Sequence, residues 1–162
     1  MHIPRPTVLA LALLLVTTAA CGPTVDVKAA LKVQIGTTGW ADAGMVDGKN
    51  KIVPAAQLTV RNIADQKLPV VQLNALFHRV NEKEEWGSAL VSVAGSEGLA
   101  SGATSKVLTA KAQLGYTGLE PRPDMLKNSQ FVDATVQIFA KYGSQQWVLV
   151  GEYPITRQLL TP

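Results

Sequence analysis

The chain has 162 residues, of which 47% are hydrophobic and 17% charged, so it can bury the core of one domain. This composition excludes a generally disordered chain, because disordered chains are poor in apolar residues and rich in net charge. The formal charge is only +3, and the Lys and Arg residues form no cluster, which argues against a nucleic-acid-binding surface.

The first 20 residues have the three parts of a secretory signal peptide. Arg5 supplies a positive charge, residues 8–16 form an apolar run, and small residues at positions 17–20 precede Cys21. The run of about ten residues is too short to cross the hydrocarbon core of a membrane, which needs roughly 20. We therefore predict a signal peptide over residues 1–20.

Cys21 is the only cysteine, so the chain can form no internal disulfide. The segment Thr18-Ala19-Ala20-Cys21 resembles the lipobox of bacterial lipoproteins, although leucine is commonest where Thr18 stands. In that family the cysteine sulfur receives a diacylglyceryl group and the leader is removed before it, which implies a lipid anchor on Cys21. Gly22, rather than aspartate, after the cysteine favours the outer membrane, with the domain facing the periplasm. An ordinary signal peptidase site after Ala20 remains the alternative.

Residues 21–29 are predicted to form a lipidated tether, because they include Gly22 and Pro23 and few apolar residues. Residues 30–162 are predicted to form one domain. In that part, apolar and polar residues alternate with a period of two, which is typical of strands with one buried face. Six such runs begin at Leu31, Leu58, Val71, Leu108, Val132 and Trp147, and a weaker strand is expected over Trp86–Val93.

Turn residues separate these runs at short intervals, and Gly143-Ser144 marks a hairpin between the last two. In the last run Trp147, Leu149 and Tyr153 fall on the face predicted to be buried. One helical turn is expected within residues 120–130. Seven strands with this spacing predict an all-β fold, an immunoglobulin-like β-sandwich.

The middle of the chain carries an ordered set of strand and turn segments. They are Leu58-Thr59-Val60-Arg61-Asn62, Asp65-Gln66-Lys67, Val70 to Phe77, Asn81-Glu82-Lys83, and Gly102 before Lys106. This order resembles the FxLYD domain, an immunoglobulin-like module of bacterial exported proteins and lipoproteins. Leu76-Phe77 matches the Leu-Tyr pair of that pattern, whereas Asn74 and His78 stand in place of its Phe and Asp. The resemblance covers about a third of the chain. It implies the fold and brings no catalytic residues.

Few residues of the chain suit catalysis or metal binding. His78 is the only histidine after the leader and is expected on an outward strand face, without the nucleophile and carboxylate that a catalytic base needs. Asp42 and Asp47 flank a Gly-rich loop that lacks the spacing of a calcium-binding EF-hand. The carboxylates Glu82, Glu84 and Glu85 are interpreted as a charged hairpin tip. We predict no catalytic, cofactor or metal site.

Phe131 and Phe139 fall with the polar residues of their run, opposite Val132 and Ile138. They are the candidate partner-facing residues. The alternative is that residues 120–130 or the C-terminal tail cover them within the domain. The sequence favours a non-enzymatic envelope lipoprotein that binds or scaffolds an unidentified envelope protein, anchored to the membrane through Cys21. A carrier or sensor of a small or apolar ligand is the second interpretation.

Overall fold

The computed structural model describes residues 24–161 of the chain. It contains nine strands and two four-residue helices. Their bounds are α1 Val27–Ala30, β1 Leu31–Val46, β2 Lys49–Asn62, β3 Val71–Arg79, β4 Glu85–Ala94, β5 Leu108–Lys111, β6 Tyr116–Gly118, α2 Arg122–Met125, β7 Ala134–Tyr142, β8 Val148–Pro154 and β9 Leu159–Leu160. The predicted signal peptide and Cys21 lie outside the described residues.

The strands form two sheets that pack face to face as a β-sandwich. The first sheet has the order β5-β2-β1-β9, and β6 pairs with β2 along the same edge as β5, nearer to the start of β2. The second sheet has the order β4-β3-β7-β8. Neighbours are antiparallel except for β1 and β9, which run parallel through Trp40 and Ala41. The predicted all-β sandwich is therefore confirmed, with nine strands rather than about seven.

The core lies between the sheets, and its residues follow the period-two pattern of the sequence. In β3 and β7 every second residue is buried, as predicted for strands with one covered face. The largest side chains with almost no solvent exposure are Trp40, Ile52, Leu68, Leu73, Phe77 and Ile138. The weaker strand predicted over Trp86–Val93 is confirmed as β4, and the helical turn expected within residues 120–130 is α2.

A long hairpin of β1 and β2 joins the two ends of the molecule. At its tip, Asp47 and Gly48 have φ of 49° and 74°, the pair of positive values that a tight two-residue hairpin turn requires. With about 3.3 Å per residue, the 16 residues of β1 span up to about 50 Å. The hairpin tip is therefore remote from α1, which precedes β1.

Two boundaries differ from the sequence prediction. Val25 and Val27, in the predicted tether, are buried in the core with exposures of 9% and 3%, so the packed part of the chain begins before residue 30. The run predicted from Leu108 to Tyr116 is broken after Lys111, and Leu114 is exposed. The break extends to Gly115, where a Cβ atom would lie 2.0 Å from the Ile52 carbonyl oxygen.

The predicted phase of the last strand is wrong for two residues. Trp147 and Leu149 are 36% and 39% exposed, whereas Val148 and Val150 pack against the core. The pairing of β7 with β8 shifts between Ile138 and Phe139, so that Val150 is an extra residue in β8. Such a bulge reverses the side-chain alternation, which explains why Tyr153 nevertheless packs against the core.

Candidate interaction surface

Phe139 lies on the outer face of the second sheet, as the sequence predicts. It is half-buried, and its neighbours Ile138 and Ala140 in β7 point into the core. The register places it opposite Asn74 of β3 on one side and Leu149 of β8 on the other. Paired residues of neighbouring strands present their side chains on the same side of a sheet. Phe139 and Leu149 therefore form a contiguous apolar surface.

This apolar surface continues on β3 and β4. Leu90 of β4 is paired with Asn74 and is 65% exposed. Leu76 of β3 is half-buried on the same outer face, one step along the strand. We call Leu76, Leu90, Phe139 and Leu149 the Phe139 face. It crosses all four strands of the second sheet, interrupted only by Asn74.

Polar residues border the Phe139 face along both sides. On one side Gln137 of β7 donates to the Glu152 carboxylate over 3.0 Å. On the other side the Lys141 ammonium lies 4.9 Å from the centre of the Trp147 ring, a cation–π contact. An apolar centre with a polar border is the usual anatomy of a protein–protein interface.

Phe131, the other predicted partner-facing residue, is buried, and this prediction is wrong. It is 7% exposed and belongs to an aromatic cluster with Trp40 and Tyr116, whose ring centres lie 4.6 and 4.7 Å away. The Arg157 guanidinium covers the ring at 5.1 Å and also pairs with Asp133. That carboxylate raises the pKa of Arg157. Phe131 precedes the first residue of β7, so the alternation of that strand does not apply to it.

The alternative interpretation of the sequence was that residues 120–130 or the C-terminal tail cover Phe131, and the structure agrees with it. Met125 of α2 and Leu126 after it are buried in the same core cluster. A cleft of about 260 Å³ remains beside this cluster, lined by Tyr116, Gly118, Met125 and Phe131 among others. Its floor is aromatic, and Glu120, Asn128 and Gln130 form a polar rim.

His78 lies on the outer face of β3, where it is half-buried. Its Nδ1 is 3.1 Å from the Glu84 carbonyl oxygen, and because a carbonyl can only accept, Nδ1 is the donor. Glu82 pairs with Arg79 over 2.7 Å, and Arg79 also lies over the Trp86 ring. His78, Arg79 and Glu82 border a polar groove with Thr135 and Glu152. Of the three glutamates at this hairpin tip, Glu82 is engaged by Arg79.

The Gly-rich loop between Asp42 and Asp47 is the end of the β1–β2 hairpin. The Asp42 carboxylate accepts from the Gly44 N–H over 2.7 Å and pairs with Arg122 over 2.7 Å. Asp47 occupies the turn itself. The two aspartates thus have separate structural roles. Within residues 24–161 the structure shows no group of three His, Cys, Asp or Glu side chains arranged to hold a metal ion.

Asn62 is a buried polar residue whose role was not anticipated. It is 0% exposed, at the end of β2. Its Nδ2 donates to the carbonyls of Gln66 and Leu99 over 2.8 and 2.9 Å, and its Oδ1 accepts from the Ala64 N–H over 2.9 Å. The side chain therefore joins two loops at this end of the sandwich. The only sequence signal is an asparagine at the end of a strand, before a polar turn.

Comparisons with known proteins give no family for this chain. No family model and no curated protein matches it. Its fold is similar to that of a structural genomics target, SoR45 of the Northeast Structural Genomics Consortium, with 10% identity over 80% of this chain and 88% of that one, and a TM-score of 0.44. It is also similar to AT1g01470 from Arabidopsis thaliana, with 15% identity over 80% and 83% of the two chains and a TM-score of 0.43.

Neither α1 nor α2 has the length or apolar content needed to cross a bilayer, and residues 24–161 contain no other helix.

Proposed function

We propose that this chain is a lipid-anchored, extracytoplasmic lipoprotein that binds another protein of the cell envelope and is not an enzyme. The anchor rests on the sequence: a signal peptide over residues 1–20 and a single cysteine in a lipobox-like segment. The observation that carries the binding role is the Phe139 face, an apolar row across four strands of the second sheet.

Energetics favour a partner over the Phe139 face. Leu90 and Leu149 are 65% and 39% exposed, and apolar area transferred out of water contributes about 25 cal/mol per Å². Contiguous exposed apolar patches on soluble domains commonly mark interaction sites. The face is also rigid, because each of its residues lies on a strand. A protein of the cell envelope with an apolar, aromatic-rich surface would suit it.

A carrier of a small apolar ligand is the second candidate. The cleft of about 260 Å³ beside Tyr116 and Phe131 is the best location for such a ligand, since its floor is aromatic and its rim is polar. It is smaller than most ligand pockets, which measure about 300–1,000 Å³. The space between the sheets is filled by large side chains such as Trp40, Phe77 and Ile138. The observations therefore favour a protein partner.

The anchor is tested by changing Cys21. The substitution Cys21→Ala should move the protein from the membrane fraction to the soluble fraction, and mass spectrometry of the parent should show a lipid on the cysteine. Unchanged membrane association of the variant would refute the anchor. Cys21→Ser is a second variant that preserves the size of the side chain.

The proposed role of the Phe139 face is tested by site-specific photo-crosslinking in intact cells. A photoreactive residue at position 90 should yield one discrete cross-linked partner, whereas the same residue at Val107, also 65% exposed but preceding β5 of the first sheet, should not. Adding Leu149→Asp should abolish the product at position 90 if both residues contact the partner. Equal products from positions 90 and 107, or no effect of Leu149→Asp, would contradict the assignment.

A further inference from the structure

The chain is fixed to the folded domain only a few residues after Cys21. Val25 and Val27 are buried, and the Asp26 carboxylate caps α1 by accepting from the Lys28 N–H over 3.0 Å. With its amide oriented to pair with the backbone, Gln145 bonds the N–H and carbonyl of Val25 over 3.0 and 2.9 Å. Four Cα–Cα steps separate Cys21 from Val25, which reach at most about 14 Å.

Several loops surround the point where the chain enters the domain. The Ile63 N–H donates to the Ala30 carbonyl of α1 over 2.8 Å, which places the loop after β2 beside α1. The Gly143 N–H donates to the Val70 carbonyl over 2.9 Å, so the β7–β8 turn adjoins the loop before β3. We call this part of the molecule, formed by α1 and residues 63–70 and 143–147, the α1 end.

Exposed apolar side chains project from the α1 end. Ile63 is 51% exposed, Val70 is 41% exposed, and Trp147 is 36% exposed. Val70 has a φ of 53°, a left-handed conformation that is strained for a β-branched residue. Hydrogen bonds from its N–H to Gly95 and from Gly143 to its carbonyl hold it there. An asparagine or glycine would fit this turn with less strain, so the exposed valine side chain is present at an energetic cost.

We propose that the α1 end is a membrane-contacting surface, on which Ile63, Val70 and Trp147 enter the headgroup region of the bilayer that holds the lipid anchor. This inference rests on the proposed acylation of Cys21. With at most about 14 Å of chain between Cys21 and Val25, the α1 end is the part of the domain nearest to the lipid. Tryptophan is the residue type enriched at membrane–water interfaces.

The charges of the α1 end indicate whether electrostatic attraction or burial of apolar side chains drives the membrane contact. Lys28, Lys67 and Lys141 are balanced by Asp26, Asp65 and Glu97, with Lys28 next to Asp26, Lys67 near Glu97 and Lys141 over the Trp147 ring, so the surface carries both signs in equal number. Attraction to anionic lipid is therefore weak, and burial of apolar side chains drives the contact. The same geometry directs the tip of the β1–β2 hairpin away from the bilayer, up to about 50 Å from α1.

The orientation is tested with the full-length acylated protein in vesicles of phosphatidylcholine that contain a nitroxide-labelled phosphatidylcholine. The variants Ile63→Cys and Met45→Cys each receive an environment-sensitive fluorophore. Met45 is the matched control, because it is 65% exposed and lies near the hairpin tip. An acylated Cys21 has no free thiol, so the label reports the introduced cysteine alone.

The label at position 63 should shift to shorter emission wavelength and lose at least about half of its intensity to the lipid quencher, while the label at position 45 should do neither. Raising the salt concentration should leave the quenching at position 63 unchanged. An acylated protein whose two labels are equally unquenched would overturn the orientation and leave the anchor intact. An unmodified Cys21 in mass spectrometry would overturn both proposals.

Discussion

The Asn62 side chain donates a hydrogen bond to the carbonyl oxygen of Leu99, 37 residues later in the chain and 2.9 Å away. Both residues are buried, and the Leu99 backbone also forms two hydrogen bonds with Leu68. One amide thereby holds together the loop after β2 and the loop after β4. The end of the sandwich next to α1 depends on this side chain.

Replacing Asn62 should destabilise the domain strongly. Asn62→Ala leaves the Gln66 carbonyl without its donor and the Ala64 N–H without its acceptor, while the Leu99 carbonyl keeps the Leu68 N–H as its remaining donor. An unsatisfied buried group costs about 1–3 kcal/mol. We expect a loss of at least about 2 kcal/mol, measured as a lower denaturation midpoint. Asn74→Ala, on the outer face of β3, should stay within about 0.5 kcal/mol. Equal midpoints for the two variants would show that the Asn62 bonds contribute little.

Two tryptophans should differ sharply in their contribution to stability. Trp40 is fully buried in the aromatic cluster, and Trp40→Ala should cost about 3–5 kcal/mol, the usual range for a core aromatic. Trp147 is 36% exposed and contacts Lys141 by a cation–π interaction, so Trp147→Ala should cost about 1 kcal/mol or less. Chemical denaturation of both variants measures this. A larger loss for Trp147 would mean that Trp147 and Leu149 face the core, as the sequence predicts.

A side chain at the second position of the β1–β2 turn should lower the stability of the domain. Gly48 has a φ of 74°, and Gly48→Ala should destabilise the domain by about 1–2 kcal/mol, the cost of a left-handed conformation for a residue with a Cβ. Gly36→Ala is the control, because its new Cβ would meet only the Gln57 carbonyl oxygen, at an ordinary 3.5 Å. Thermal unfolding compares the two. The prediction fails if Gly48→Ala melts at or above the temperature of Gly36→Ala.

Acid should weaken the turn that holds Glu97. The Gly95 N–H donates to the Glu97 carboxylate over 2.9 Å, and this bond lowers the pKa of Glu97. A carboxylate with a lowered pKa stabilises the fold above the unfolded-state pKa of about 4.3, and this contribution disappears as the pH falls through the folded-state pKa. Glu97→Gln should therefore lower the denaturation midpoint more at pH 6 than at pH 3. A difference that is equally large at pH 3 would contradict the ionic origin.

The sequence predicts the middle of the sandwich better than its borders. In β3 and β7 one face is fully covered, so the alternation that begins at Val71 and at Ala134 directly reports burial. The pattern could also place Phe139 on the outer face. It could not identify Leu90 as its neighbour, because strand order and register are set by packing between segments far apart in the chain.

The errors at Phe131 and Trp147 have a common cause. Each residue lies just outside a strand, where side-chain alternation has no meaning, and a bulge at Val150 then shifts the phase within β8. Bulges leave no reliable mark in a single sequence. Asn62 was missed for another reason, since polar residues are usually exposed and only the loop carbonyls around it explain its burial.

The pairing of β9 with β1 has a consequence for the kinetics of folding. The Trp40 N–H donates to the Gln158 carbonyl over 2.8 Å, and the Gln158 side chain donates to the Thr38 carbonyl over 2.8 Å, across about 120 residues of chain. Contacts of such high sequence separation make β-sandwiches slow folders, on the scale of milliseconds to seconds. A chain synthesised from its N-terminus lacks this partner of β1 until residue 160 has been made. Completion of the fold therefore requires the residues up to 160, and until they are made β1 has one edge unpaired.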